Sequence, residues 1–229
     1  MMVEPNTSIS EFIGDVERAC QQFKQPFGLR ELLFCIRDIP YGRPTSPRDP
    51  ASVLADWKGT CSGKHLLARA ILASMGLRSK LFCLPYRLDD AVEGLPREVV
   101  QPYVGRGLWD VHNYLELETV TGAVTVDVTW SRDLADFGFP TTLAWDGAQN
   151  FRIAAPIGVP IQVANDADLN TVKDQLLQSL NSAPARTLRE QYIEDLSAFA
   201  SKHSTRSDRV NGVLGTLKDI RQRNTGYRS

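Results

Sequence analysis

The sequence predicts an α+β fold in which a buried helix packs on an antiparallel sheet, with further helices flanking this core at both ends. Three observations lead there. Residues 61 to 75 form an apolar run of helical length that stops at Gly76. Residues 79 to 86, 111 to 119 and 124 to 130 alternate apolar and polar positions with the β-branched and aromatic content of strands. Helical periodicity recurs near both termini.

Taken in order, Ser8 and Glu11 form a capping box ahead of Phe12, Ile13, Val16, Cys20 and Phe23 at helical spacing, and a second helix is expected over residues 28 to 37. Leu66, Leu67, Ala70, Ile71, Leu72 and Met75 cover most of the circumference of the helix that Cys61 opens, which predicts burial in the middle of the domain. The strands at 111 to 119 and 124 to 130 join around Thr121-Gly122. His112, Tyr114 and Glu116 share one face of the first; Thr125, Asp127 and Thr129 share a face of the second. From Ser131 to about Asn165, Phe137-Gly138-Phe139-Pro140 and Ala155 to Pro160 read as extended chain and loops, with a strand at 161 to 164. Helical text resumes at 168 to 181 with Leu169, Val172, Leu176, Leu177 and Leu180, at a second capping box formed by Thr187 and Glu190, and at 207 to 222. The expected organisation is N-terminal helices over 1 to 37, a core over 38 to 165 and a helical extension of the same domain over 166 to 229.

Within this frame an ordered trio stands out: Cys61 in the first turn of its helix, His112 on one strand and Asp127 on the next. A free thiol of pKa ~8.5 is mostly protonated at neutral pH, and only the thiolate is a strong nucleophile. A helix N-terminus and a neighbouring imidazolium both lower a thiol pKa, and antiparallel pairing could bring the His112 and Asp127 faces together. The carboxylate would hold the second ring nitrogen of His112, fixing its tautomer and orientation. The roles are nucleophile, base and orienter.

The blocks Gly59-Thr60-Cys61 at a helix start, His112-Asn113-Tyr114-Leu115-Glu116 on a strand and Val126-Asp127-Val128-Thr129-Trp130 about fifteen residues after His112 resemble the transglutaminase-like superfamily of papain-type fold. Ile39-Pro40-Tyr41-Gly42 and residues 49 to 54 resemble the lead-in to that family's nucleophile helix, so the resemblance covers about 38 to 130. It implies a Cys61–His112–Asp127 triad acting through a thioacyl-enzyme, as a hydrolase of peptide-like amides or a transamidase, with no cofactor. The text from Thr60 to His65 and the long segment from Arg87 to Trp109 differ from the family's usual pattern and bear on the substrate. Two other readings stand beside it: a binding module that kept the fold and lost the chemistry, and an acyltransferase using a thioester donor.

The oxyanion of such a reaction needs donors. Backbone N–H groups at the helix start supply some, and Tyr41, Trp57 and Trp109 are side-chain candidates, with aromatic core packing the competing reading for each. His65, one turn along from Cys61, is expected either to support the triad or to be a buried, hydrogen-bonded histidine. Cys61 and His65 are too few ligands for a metal, and no CxxC occurs. Gly63-Lys64 fails as a phosphate loop, because Lys58 stands where the first glycine belongs and His65 where Ser or Thr belongs. Cys20, Cys35 and Cys83 lie in apolar runs and read as core, and Glu116 and Trp130 as residues shaping the sheet.

Composition sets the remaining bounds. A chain of 229 residues with 42% hydrophobic content can bury a sizeable core as one domain with appendages. A net charge of -1 gives no electrostatic reason to expect nucleic acid, and the nine basic against five acidic residues from Arg186 onward suit a solvated helical face. No segment approaches membrane-spanning length, Met1 to Asn6 has neither the basic nor the apolar part of a secretion signal, and four scattered cysteines make no disulfide framework. The expectation is a cytoplasmic protein whose partner is a peptide, protein or small amide substrate.

Overall fold

The structure, a computed structural model, describes residues 7–91, 95–120, 122–155, 158–166 and 168–226. It is a mixed α+β chain. Helices α1 (Thr7–Gln22), α2 (Leu29–Asp38), α3 (Pro50–Asp56) and α4 (Cys61–Ser74) precede strand β1 (Ser79–Arg87), and short helix α5 (Arg97–Val100) precedes β2 (Trp109–Thr119) and β3 (Gly122–Val126). Strand β4 (Ile161–Val163) leads into helices α6 (Asp168–Leu180), α7 (Ala183–His203) and α8 (Arg209–Gly226). The strands form one sheet in the order β3-β2-β1-β4, antiparallel throughout. Among the described residues, no helix is long and apolar enough to cross a membrane.

Helix α4 is central because its sequence allows nothing else. Leu66, Leu67, Ala68, Ile71 and Leu72 are all buried, so the helix has hydrophobic contacts on several sides, packing on β1 and β2 as well as on α2 and α3. Its end is a Schellman motif: Gly76, at φ +72, donates to the Ala73 carbonyl at 3.0 Å, and Leu77 donates to the Leu72 carbonyl at 2.9 Å. At the other end Gly63 is pressed against the preceding loop and α3, so closely that a Cβ there would lie 2.7 Å from the Pro47 carbonyl oxygen and 2.8 Å from Val53 Cγ2. The close approach sets where the N-terminus of the helix, and with it Cys61, comes to rest.

Polar bonds lock the same helix from behind. The Lys64 side chain, fully buried, donates to the carbonyls of Arg37 and Thr129, each at 2.8 Å, tying α2 to the chain just beyond β3. Burial lowers its pKa to about 7. Asp38, at the end of α2, accepts two bonds of 2.8 Å from the Arg37 guanidinium, one of 2.8 Å from the Arg132 amide and one of 2.9 Å from the Thr216 hydroxyl of α8. Two hydrophobic clusters complete the packing. One joins α1, α2, α4 and α8 to the sheet; the other joins Leu88, Val99, Val100, Tyr103 and Leu108 of the long β1–β2 connection to Tyr192, Ile193 and Leu196 of α7.

Several expectations change. β3 ends at Val126, so Asp127 lies just past the strand and not within it. Helix α7 starts four residues before Thr187, at a true N-cap: Ser182 accepts from the Ala185 amide, with Pro184 in the first turn, while the Thr187 hydroxyl bonds back to the Ala183 carbonyl inside the helix. Ser8 likewise falls inside α1 rather than before it. α8 covers Arg209–Gly226 where 207 to 222 was expected. Helix α3 was not anticipated, although Asp49 caps it by accepting from the Ala51 and Ser52 amides and Pro50 occupies its first position. The readings of Met1 to Asn6, of Thr121 and of Pro156-Ile157 lie outside the described residues.

Gly63→Ala should cost about 1–3 kcal/mol of stability, the range for overpacking a filled site. Urea unfolding of the variant against wild type measures it, and an unchanged midpoint would contradict the tight seating of α4.

Candidate active site

Cys61 occupies the first position of α4, after an N-cap, Thr60, that makes no side-chain cap bond. The first-turn N–H groups therefore have no partner within the helix, and the positive end of the helix dipole meets the thiol. His112 lies on β2, across the sheet register from Leu84 of β1. Its Nε2 donates to Asp127 Oδ2 at 2.7 Å, which leaves Nδ1 as the ring nitrogen that can serve the thiol.

Asp127 is held by more than its histidine. Oδ1 accepts from the Thr129 amide at 3.0 Å, and Oδ2 accepts a second bond from the Ala154 amide at 2.7 Å. Ala154 belongs to the long loop after Trp130, so this loop takes part in the site. Burial alone would raise the Asp127 pKa, but the facing His112 overrides it and holds the carboxyl well below its ordinary range. The same balance acts in reverse on His112: burial opposes its charge, Asp127 and the neighbouring Cys61 favour it, and its pKa rises to about 10. For Cys61, burial pushes the thiol up while Lys173 and then His112 pull it down, to about 6. Both shifts run in the same direction, toward a thiolate beside an imidazolium.

His65 is a brace. Its Nδ1–H donates to the Cys61 carbonyl at 2.7 Å and its Nε2 accepts from the Val128 amide at 3.1 Å, so one neutral tautomer links the first turn of α4 to the residue following Asp127. Burial keeps it neutral by pushing its pKa down to about 4. It is thus a buried, hydrogen-bonded histidine that ties the Cys61 turn to the chain after Asp127, its ring 6.1 Å from the His112 ring and perpendicular to it.

The aromatic candidates separate. Tyr41 lines the same cleft as Cys61 and packs on Trp130 at 4.6 Å, and burial followed by the nearby Cys61 pushes its hydroxyl pKa up, so it stays a donor. Trp57 does not reach the cleft: it takes a left-handed conformation, φ 47, at the end of α3, donates Nε1–H to the Arg206 carbonyl at 3.0 Å, and packs against Phe12 of α1 and Gly212 of α8. Trp109 also stands apart. Three positions before His112 on β2, it points to the other face of the strand, and its backbone bonds the Asn181 side chain. The buried Cys20, Cys35 and Cys83 thiols are all free, and burial raises the pKa of each.

Beside Cys61 opens a cleft of about 750 Å³. Its far wall comes from the C-terminal helices: Asn170, Lys173, Asp174 and Leu177 of α6, and Arg189, Glu190 and Ile193 of α7. Ion pairs close its rim, Arg48 with Asp174 at 2.7 Å and Arg43 with Glu190. Deeper, Arg189 pairs with buried Asp110 of β2 at 2.6 Å. Lys173 is the residue that sequence reasoning missed. It is buried, its Nζ lies 3.6 Å from Cys61 Sγ, and it donates to Ser62 Oγ and Asn113 Oδ1, each at 2.9 Å. A signal was present: Lys173 follows Leu169 and precedes Leu177 by four residues each, so it stands on the apolar face of its helix, where a charge needs a partner.

Comparison of the chain with protein-family models, with curated proteins and with solved structures finds no match in any of the three.

Asp127→Asn should lower the unfolding free energy near pH 6 by about 3–5 kcal/mol, because it removes the carboxylate that meets the buried His112 charge. A depressed carboxyl pKa contributes stability present above the unfolded-state value, ordinarily 3.8, and lost as pH falls toward the folded one. The gap between variant and wild type, read by urea unfolding, should therefore narrow below pH 3.8.

Proposed function

We propose that this chain is a cysteine-dependent enzyme of transglutaminase-like, papain-type architecture that cleaves peptide-like amides through a thioacyl intermediate. The observation that carries the reading is the junction of Cys61, at a helix N-terminus and on the wall of a cleft, with a His112 ring whose far nitrogen is held 2.7 Å from a buried carboxylate. A structural cysteine needs neither the cleft nor the charged partner.

The steps follow from the charge states. The Cys61 thiolate adds to the amide carbon, a carbon–sulfur bond forms, and the carbonyl π pair moves to oxygen. First-turn N–H groups of α4, and the hydroxyl of Tyr41 in the lining of the same cleft, would receive that charge. As the carbon–nitrogen bond breaks, the His112 imidazolium gives its proton to the departing amine, leaving a thioester and a neutral imidazole. His112 then takes a proton from the acceptor, water for hydrolysis or an amine for transfer, and the thiolate leaves. Asp127 holds the ring throughout and supports its charged form. Hydrolysis is favoured because the sequence has no acidic cluster at calcium-loop spacing of the kind that accompanies calcium-activated cross-linking.

Iodoacetamide labelling of Cys61, followed by peptide mass spectrometry, should titrate with a midpoint near pH 6 in place of the ordinary thiol value of 9.0. His112→Asn should move the midpoint upward. A wild-type midpoint near 9.0 would remove the basis of the proposal.

A further inference from the structure

Lys173 combines three properties that no packing role requires together. Its side chain is buried, with an exposure of 4%. Its Nζ contacts two neutral oxygens, Ser62 Oγ and Asn113 Oδ1 at 2.9 Å each, and one sulfur, Cys61 Sγ at 3.6 Å. Among the described residues no carboxylate forms an ion pair with it; the Asp110 carboxylate, paired with Arg189, acts on it only at longer range, and the anionic atom it contacts is the Cys61 sulfur. Removing an ammonium from water costs several kcal/mol unless an opposite charge meets it. An apolar residue between Leu169 and Leu177 would pack α6 without that cost. The three donors of an ammonium match the three acceptors, and two of these come from the helix that carries the nucleophile.

We infer that the Lys173 ammonium is the oxyanion-stabilising cation of this site, paired with the Cys61 sulfur in the free protein and with the carbonyl oxygen once the carbon–sulfur bond has formed. The inference rests on the thioacyl reading above. Its geometry is direct. Oxyanion donors work at about 2.7–3.1 Å from the oxygen they stabilise. In the tetrahedral adduct that oxygen sits one bond beyond the carbon attached to sulfur, and a flexible lysine head 3.6 Å from the sulfur can reach it with a small rotation. Neutralisation of the thiolate by acylation releases the cation at the moment the oxygen gains charge, so the same ammonium serves both anions in turn. Ser62 and Asn113 hold its position, and the Ser62 hydroxyl also donates to Asn113 Oδ1 at 2.8 Å. That bond survives loss of the lysine, so neither side chain is orphaned in a Lys173→Met variant.

Two probes of Cys61 separate the roles. Iodoacetamide alkylates the thiolate by displacement at a saturated carbon and develops no oxyanion; p-nitrophenyl acetate acylates it through a tetrahedral oxyanion and releases p-nitrophenolate. Tyr41, Lys64, Cys83, Tyr86, Asp110, His112 and Arg189 are among the other titratable or charged groups around the thiol, and all remain in the variant. In Lys173→Met the alkylation midpoint should rise above that of wild type. Above the new midpoint alkylation should match or exceed wild type, since thiolate reactivity grows by about 3-fold per unit of pKa. Acylation at the same pH should stay down by about 10²-fold, the loss typical of one oxyanion donor. Lys173→Arg, which keeps the charge, should restore the low alkylation midpoint. Recovery of acylation in step with alkylation, or an unchanged midpoint in Lys173→Met, would overturn the inference. A wild-type protein that alkylates as an ordinary thiol would instead overturn the thioacyl reading on which it rests.

Discussion

The negative charge of Asp127 is the constraint around which this site is arranged. A carboxylate removed from water must be met by donors, and here three converge on it: the His112 ring and the amides of Thr129 and Ala154. Those bonds fix the carboxylate, and the carboxylate in turn makes a charged imidazole tolerable in a buried position. Lys173 and the charge on His112 then lower the pKa of the thiol beside them. A perturbation at Asp127 would thus travel outward through His112 to Cys61, while a perturbation at Cys61 would leave the Asp127 bonds to the backbone intact.

Rigidity at Cys61 comes from a different source. Helix α4 is clamped at its start by the close approach of Gly63 to Pro47 and Val53, from behind by the Lys64 bonds to two carbonyls, and at its first turn by His65. His65 and Lys64 are adjacent in sequence and reach adjacent residues of one segment. One reaches the Val128 amide and the other the Thr129 carbonyl, so the segment bearing Asp127 is pinned to the helix bearing Cys61 by two bonds through neighbouring residues. The relative placement of Cys61 and Asp127 therefore depends on buried side chains that do not line the cleft.

The C-terminal helices bear on the chemistry more than their position in the chain suggests. Without α6 and α7 the thiol would face open solvent along one side. With them it faces a polar cleft whose charges are largely paired, Arg48 with Asp174, Arg43 with Glu190 and Arg189 with Asp110. Lys173 differs from these in meeting a sulfur and two neutral oxygens, which is the physical reason for assigning it a part in the proposed reaction.

Much of this was legible from local pattern. The apolar run ended by Gly76 marked α4, alternation marked the three longer strands, and residue type with order singled out Cys61, His112 and Asp127, because periodicity and side-chain chemistry are properties of short segments. Helix starts were less legible: Thr187 and Ser8 carry capping-box spacing but lie within helices, and the Thr187 hydroxyl bonds back to a carbonyl four residues earlier. Four decisions belonged to the tertiary structure alone. It brought Ala154 to Asp127, drew Lys173 to Cys61 across 112 positions of chain, placed Tyr41 in the cleft, and turned Trp57 and Trp109 away from it. Sequence by itself determined which residues could carry charge or donate a bond. Which of them share a dielectric environment was decided only by folding, because burial and distance, not identity, set the balance between desolvation and pairing.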